Sequence, residues 1–438
     1  MSLASDTASA APARLRLGQI AAVTAGNGLE FYDFLIYSNF AIYIGRAYFP
    51  VHGEVASLLL SLATFGIGFA TRPLGSVVLG RLGDRIGRKP AMMASFGLMA
   101  LGLLGLAVTP SYARIGMAAP ILAVIWRLVQ GFALGGEVGP STAYLVEAAP
   151  LHRRGLIGGL QTFSQGLAIL VASTIAVLLA RALPAQALAD WGWRAAFLAG
   201  LVIVPFGLWM RRGLVETRPE PARVPVAGTP RRPVPWGLVG LSVMLVGCGT
   251  INTYVNTYMV TYAMDTLHLR AGTSFGAGVA VGVSAVVAAP LAGWLSDRLG
   301  RRAVMAPAVV ALIVLPAPAF GLLIAHPSAA SLYAATAVLT FATAMATAVM
   351  LVAITESLPA RLRCLAVGLA YAGAVAVFGG TTQLAVGWLL HALHQPLAPA
   401  WYRMVASAVG LLAVLLLPES APSKVRQLPA AATALGTA

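Results

Sequence analysis

Apolar residues run along this chain in long blocks separated by short polar breaks. The blocks cover residues 17–45, 57–80, 90–109, 118–147, 156–181, 194–211, 236–262, 272–295, 303–325, 331–356, 364–391 and 400–417. A helix needs about 20 mostly apolar residues to cross a bilayer. A strand of a membrane barrel would instead alternate apolar and polar positions over about 10 residues. The block lengths and the lack of alternation therefore predict twelve transmembrane helices. Pro and Gly inside the blocks are tolerated, because neighbouring helices re-satisfy the freed backbone groups. The longest polar break, 213–235, carries six prolines from Pro219 to Pro235 and reads as a linker between six spans and six more.

Composition narrows the class. The 438 residues are 59% hydrophobic and 10% charged, and mean hydropathy is +0.83. These values exclude a soluble globular domain and a disordered chain. The net charge of +15 would suggest a nucleic-acid partner in a soluble protein. Here most basic residues fall in alternate loops and the two tails, among them Arg81, Arg85, Arg88 and Lys89, then Arg153 and Arg154, then Arg298, Arg301 and Arg302. That asymmetry is the positive-inside pattern and puts both termini in the cytoplasm. The exceptions are Arg46, Arg72, Arg114, Arg127, Arg181, Arg194, Arg270 and Arg403. No aromatic-interleaved basic patch supports nucleic-acid binding. Cys248 and Cys364 are too few for a disulfide framework or a metal set. The first sixteen residues do not resemble a cleavable signal, since the first apolar block is too long and carries Asn27, Glu30 and Asp33. The expected organisation is a disordered cytoplasmic tail (1–16), a six-helix bundle (17–212), a cytoplasmic linker (213–235), a second six-helix bundle (236–417) and a cytoplasmic tail (418–438).

The two bundles repeat one another. Gly80-Arg81-Leu82-Gly83-Asp84-Arg85-Ile86-Gly87-Arg88-Lys89 returns 213 positions later as Gly293-Trp294-Leu295-Ser296-Asp297-Arg298-Leu299-Gly300-Arg301-Arg302. Glu147 with Arg154 returns as Glu356 with Arg363, and Trp193-Arg194 as Tyr402-Arg403, both at an offset of 209. A duplicated six-helix unit is a transporter architecture with its substrate near the midplane between the halves.

These residues resemble a known family. The Gly-x-Leu-Gly-Asp-Arg-x-Gly-Arg-Lys loop is similar to the signature of the major facilitator superfamily. Gly26-Asn27-x-Leu29-Glu30-x-x-Asp33-Phe34, Thr71-Arg72-Pro73-Leu74-Gly75, Arg127-Leu128-x-Gln130-Gly131 with Gly135-Gly136-Glu137, and Trp191-Gly192-Trp193-Arg194 resemble its metabolite–proton symporters. Leu160-Gln161-x-x-Ser164-Gln165 is most similar to the citrate and tricarballylate carriers. The resemblance implies an all-α membrane protein with twelve transmembrane helices in two pseudo-symmetric bundles. It further implies a multi-pass protein of a bacterial-type inner membrane, with the proton as coupling ion and no other cofactor. Such a carrier is expected to function as a monomer.

Charge inside a membrane is costly, so each intramembrane ionisable residue is a functional candidate. Glu30 and Asp33 share a helix face with Asn27 and Tyr37. Either acid could carry the coupled proton; the alternative is a structural ion pair with an arginine of another helix. Arg72 lies about 12 Å deep at 1.5 Å per residue, where a guanidinium could grip a substrate carboxylate or pair with the helix 1 acids. Arg127, Gln130 and Glu137 form one stripe. The family motif associates Arg127 with proton transfer, and Glu137 is a further titratable group. Asn27, Gln161, Gln165, Asn252, Asn256 and Tyr371 are neutral candidates for substrate binding, against ordinary interhelical bonding. Arg194 and Arg403 read as repeated structural anchors; the alternative for Arg194 is attraction of anions at the outer mouth. Asp84, Arg85, Arg88, Glu147 and Arg154, with Asp297, Arg298, Arg301, Glu356 and Arg363, read as a cytoplasmic latch. The six histidines fall in or near loops, and no phosphate-binding loop or metal-ligand spacing occurs.

The expected function is import of a small organic anion, a tricarboxylate such as citrate, by proton symport through alternating access. Its partners would be the anion, protons and the lipid bilayer. A dicarboxylate, an aromatic acid or a zwitterionic solute is the alternative cargo. Export, a non-transporting sensor and a membrane-embedded enzyme fit less well: the helix 1 and 2 motifs do not resemble exporters, the tails offer no signalling domain, and no nucleophile, base and metal set is legible.

Overall fold

The computed structural model describes residues 17–51, 53–86, 88–135, 149–212, 236–358 and 370–425. Twelve helical spans follow one another among the described residues. They are α1 (Leu17–Asn39, prolonged by Ala41–Tyr48), α2 (Glu54–Ile67 and Arg72–Ile86), α3 (Arg88–Val108), α4 (Ala118–Leu134), α5 (Arg154–Ala182) and α6 (Trp193–Arg212). Then come α7 (Trp236–Asp265), α8 (Ala271–Leu299), α9 (Arg301–Val314 and Pro316–Ala325), α10 (Ala329–Ser357), α11 (Ala370–Leu393) and α12 (Ala398–Leu416). No strand occurs among the described residues. Among the described residues, eight helices are long and apolar enough to cross a membrane. Large apolar side chains such as Val202 and Val405 face outward, while Asp33, Arg127 and Gln130 are buried. That inversion suits a molecule whose solvent is lipid.

The helices are joined by small residues and polar contacts. α1 and α5 run parallel: Asn27 Nδ2 donates to the Gln161 carbonyl at 3.2 Å and to Ser164 Oγ at 2.8 Å, and Asn39 Nδ2 to Ser173 Oγ at 3.2 Å. α5 and α8 lie antiparallel with Gly155 against Gly293, Gly166 against Ala285 and Gly278 against Ser173. Small residues let backbones approach where no hydrophobic force drives helices together. α2 meets α11 in the same way, Gly66 against the Gly380 backbone.

The apolar block 57–80 predicts one uninterrupted helix, yet α2 breaks over residues 68–71. Pro73 has no N–H, so the Phe69 carbonyl cannot complete the ordinary helical bond. It accepts from the Arg72 amide at 3.2 Å instead, after Ala70 N–H has bonded the Ile67 carbonyl at 3.0 Å. The tight turn leaves Arg72 at the start of the second segment. α4 packs directly against the break: Gly131 touches the Gly68 backbone and Gly135 that of Arg72. Two glycine-lined backbones in contact bring Arg72 and Arg127 close together.

Candidate functional site

α4 places Arg127 and Gln130 one turn apart on a buried face, opposite Asp33 of α1. Gln130 Nε2 donates to Asp33 Oδ1 at 2.9 Å, and Arg127 Nη1 donates to Gln130 Oε1 at 2.8 Å. Arg127 Nη1 stands 3.8 Å from Asp33 Oδ2. Arg127 Nη2 also donates to the Phe65 carbonyl at 3.3 Å. Asp33 Oδ2 itself accepts no hydrogen bond among the described residues. The carboxylate is thus oriented through one oxygen and open at the other, beside a cation that offsets its charge when it is ionised.

Aromatic rings surround both guanidiniums. Arg127 lies over Phe34 at 4.3 Å, Tyr37 at 4.5 Å and Phe65 at 5.2 Å. Arg72 lies over Phe69 at 4.1 Å and Phe34 at 4.7 Å. Phe34 therefore faces both cations. Tyr254 of α7 meets Phe65 and Phe69 with ring centroids at 5.9 and 5.4 Å, so the ring cluster spans both sets of six helices. Tyr254 and Tyr371 of α11 both lie near Arg72. Arg72 is 6% exposed, makes no salt bridge among the described residues, and its Nε is unpartnered.

The described side chains leave a surplus of positive charge here. Burying an ion costs several kcal/mol even after relaxation, whereas a desolvated cation–π contact returns about 2 kcal/mol. Two ring contacts do not fully compensate Arg72. Counting the described side chains, two cations face one carboxylate, and the surplus charge sits where both halves meet.

The other sequence candidates are distributed. Asn27, Gln161 and Ser164 join α1 to α5, and Gln165 is half-buried. Asn252 and Asn256 differ from expectation. Arg403 Nε donates to Asn252 Oδ1 at 3.0 Å and Arg403 Nη1 to Asn256 Oδ1 at 3.1 Å. The asparagines share one face of α7, turned to α12, whereas Tyr254 lies about 200° round the helix and reaches Arg72. Arg403 is a buried anchor, and Arg194 resembles it, donating to the Asp190 and Thr109 carbonyls at 3.0 and 3.1 Å. Gln383 Nε2 donates to Ser38 Oγ at 2.8 Å and Thr257 Oγ1 at 3.1 Å, tying α11 to α1 and α7. Of Glu30 the structure describes only the backbone, and its side chain lies outside the described residues, as do all of Glu137, Glu147 and Arg363 and the side chains of Asp84 and Arg88.

At the end where α5 begins, Asp297 bridges the two sets of helices. Its carboxylate accepts the Gly155 and Leu156 amides at 2.8 and 3.0 Å, at the first turn of α5, where amides are unpaired and the helix dipole favours an anion. Arg301 binds Asp297 at 2.8 Å and forks onto Glu356 at 3.1 and 3.2 Å. Arg298 does not join: it is exposed and lies over the Trp294 ring at 4.0 Å. Arg85 is exposed too, and Arg154 is half-buried with an unpartnered Nε.

The sequence reading missed Phe65, Phe69 and Glu419. Rings within an apolar block carry no signal of facing a cation. Glu419 was legible as an acid just past the last block, where it can cap a neighbouring helix. Its carboxylate accepts the amides of Arg301, Arg302, Ser420 and Ala421 at 2.9–3.1 Å, and Ser420 Oγ donates to Glu356 Oε2 at 3.0 Å. Partial burial pushes the Glu419 carboxyl up, but the four amides together outweigh it and hold the group below its ordinary value of 4.5. A lowered value means the ionised form stabilises the fold above pH 4.5, a contribution lost as pH falls through the lowered value. Glu419→Gln is therefore expected to lower the Tm of the purified protein at pH 7, with the gap to wild type closing below pH 4.5. A gap unchanged by acid would mean that charge plays no part.

The family model described as Major Facilitator Superfamily matches residues 26–288 and 277–437. The chain is 36% identical over 405 residues to the citrate-proton symporter of Klebsiella pneumoniae, covering 91% of each chain. It is 32% identical to the alpha-ketoglutarate permease of Escherichia coli, covering 92% of this chain and 94% of the relative. The proline/betaine transporter of Escherichia coli is 29% identical, with 92% and 83% covered. In fold the chain is similar to the proton:xylose symporter XylE, with a TM-score of 0.71 and 18% identity, covering 91% of this chain and 95% of that one.

Proposed function

The chain belongs to the Major Facilitator Superfamily, and from that premise we propose that it imports a small organic anion, with citrate favoured, by proton symport. The observation that carries this reading is Arg72: a buried guanidinium at the junction of the two sets of helices, without a carboxylate partner among the described residues, one ring away from the Asp33–Arg127 pair. The relatives named as a citrate-proton symporter and an alpha-ketoglutarate permease support an anionic cargo. The proline/betaine relative keeps a zwitterion as the second reading.

Residues 17–212 and 236–417 are read as the two rocking halves of a monomer in a bacterial inner membrane, with both termini cytoplasmic. Substrate carboxylate binds Arg72, with Tyr254 and Tyr371 as neutral donors, and Gln161, Gln165 and Asn27 along α5 and α1 shape the approach. Asp33 takes the coupled proton at its free Oδ2, with Arg127 and Gln130 setting its orientation; Glu30 and Glu137 are further candidates. Protonation cancels the Asp33 charge and leaves Arg127 without its counter-ion, which ties proton occupancy to the charge of the cavity. Asp297, Arg301 and Glu356 form the latch on the cytoplasmic side. Importing an anion against a negative interior costs about 2.3 kcal/mol per charge per 100 mV, and cotransported protons offset it.

The test is uptake of labelled citrate into proteoliposomes with and without an inward proton gradient, against competing acids. Gradient-driven uptake displaced by tricarballylate is expected. Uptake of betaine unaffected by any carboxylate would overturn the anion reading.

A further inference from the structure

At the opposite end of the bundle from the Asp297 latch, α5 finishes with Arg181 and α8 is preceded by Arg270. Both side chains are exposed, and neither guanidinium has an ion-pair or hydrogen-bond partner among the described residues. They line one cavity of about 530 Å³, with Tyr43, Leu183, Leu188 and Tyr333. No Asp or Glu among the described residues lines it. The volume lies in the range of small-ligand pockets, about 300–1,000 Å³. Tyr43 and Arg181 come from the first six spans, Arg270 and Tyr333 from the last six, so the cavity straddles the seam along which the halves meet. The first turn of α8, Ala271 to Thr273, forms part of the wall, and its N-terminal residue Arg270 offers no side-chain cap. Both arginines are among the exceptions to the positive-inside pattern, so membrane topology gives no reason for them.

We propose that this cavity is a collecting site for small soluble carboxylate anions at the outer mouth, distinct from Arg72. The proposal deepens the transport reading and rests on it for its biological role, but the binding itself does not require transport. Two uncompensated guanidiniums at the mouth of a groove raise the local anion concentration and speed capture. Because the two belong to different halves, an anion held between them is released when the halves separate at this end.

The test uses a reporter thiol in the cavity wall. Ala185→Cys is introduced into full-length protein carrying Cys364→Ser; the remaining Cys248 is buried. Thr273→Cys is the second reporter, should the first fold poorly. Modification rates, each divided by that reagent's rate with a small free thiol in solution, are compared for an anionic sulfonatoethyl and a cationic trimethylammonioethyl methanethiosulfonate. The anionic reagent is expected to react about tenfold faster, and citrate to slow it. In Arg181→Gln/Arg270→Gln the two reagents should react alike and citrate should not protect, while the double Lys variant keeps the preference. Equal rates in the parent, or citrate protection that survives the double Gln change, would overturn the proposal. Protection by phosphatidylglycerol vesicles but not by citrate would also overturn it, in favour of a lipid headgroup. Citrate uptake measured in parallel separates the two readings: protection without uptake removes the transport reading alone, and uptake without protection removes the collecting site alone.

Discussion

Asp33→Asn is expected to abolish uphill, proton-driven uptake while leaving substrate exchange across the membrane in place. Each coupled proton moving down one pH unit supports about a tenfold accumulation, since 1.4 kcal/mol is a factor of ten. Without a titratable group at this position the gradient has nothing to act on, and accumulation should fall to equality between inside and outside. Asn retains an oxygen to accept from Gln130, so the α1–α4 contact survives. It removes the counter-charge 3.8 Å from Arg127, and breaking a buried pair costs about 3–5 kcal/mol. A lowered Tm is therefore expected alongside the transport defect. Counterflow of labelled citrate separates the two: it should persist in folded Asp33→Asn protein. Uphill accumulation by this variant would assign the proton to another acid, with Glu30 next in line.

Arg72→Ala is expected to weaken substrate affinity by about 100-fold or more, because losing one partner of a buried charged hydrogen bond costs about 2–5 kcal/mol. The unusual part of the expectation concerns stability. A structural ion pair would leave an orphaned carboxylate behind and the fold would suffer. Arg72 has no acidic partner among the described residues, and its burial is only partly offset by Phe34 and Phe69. Its removal should leave Tm unchanged or raise it. Arg72→Lys should keep some uptake, since charge remains but the planar fork is lost. Equilibrium binding and thermal unfolding on the same samples check both parts. Loss of Tm with intact citrate affinity would make Arg72 a packing residue.

The span positions were legible because lipid imposes a one-dimensional rule. About 20 apolar residues must follow one another whatever packs beside them, so the helices seen among the described residues overlap the apolar blocks. The intramembrane charges were legible for the same reason: Asp33, Arg72 and Arg127 stand out against an apolar background. The repeat made Asp297, Arg301 and Glu356 recognisable as a set, since acids and arginines return at nearly constant offsets.

Partnership was a different matter. Asn252 and Asn256 have the spacing of a binding face, and nothing local tells whether that face turns to a cavity or to Arg403. Arg298 and Arg301 are equivalent as sequence, yet one lies exposed on Trp294 and the other is buried between Asp297 and Glu356. The break in α2 depends on Pro73, which the apolar block conceals, and on Gly131 and Gly135 of a distant helix pressing against it. Periodicity and hydropathy are properties of neighbours along the chain. They determined how many helices there are, where they run and that Asp33, Arg72 and Arg127 lie within them. Which charges face each other depends on helix rotation and on close backbone contacts between residues far apart in sequence, so only the packed structure decided that, among the described residues, Arg72 stands without an acid while Arg127 holds one.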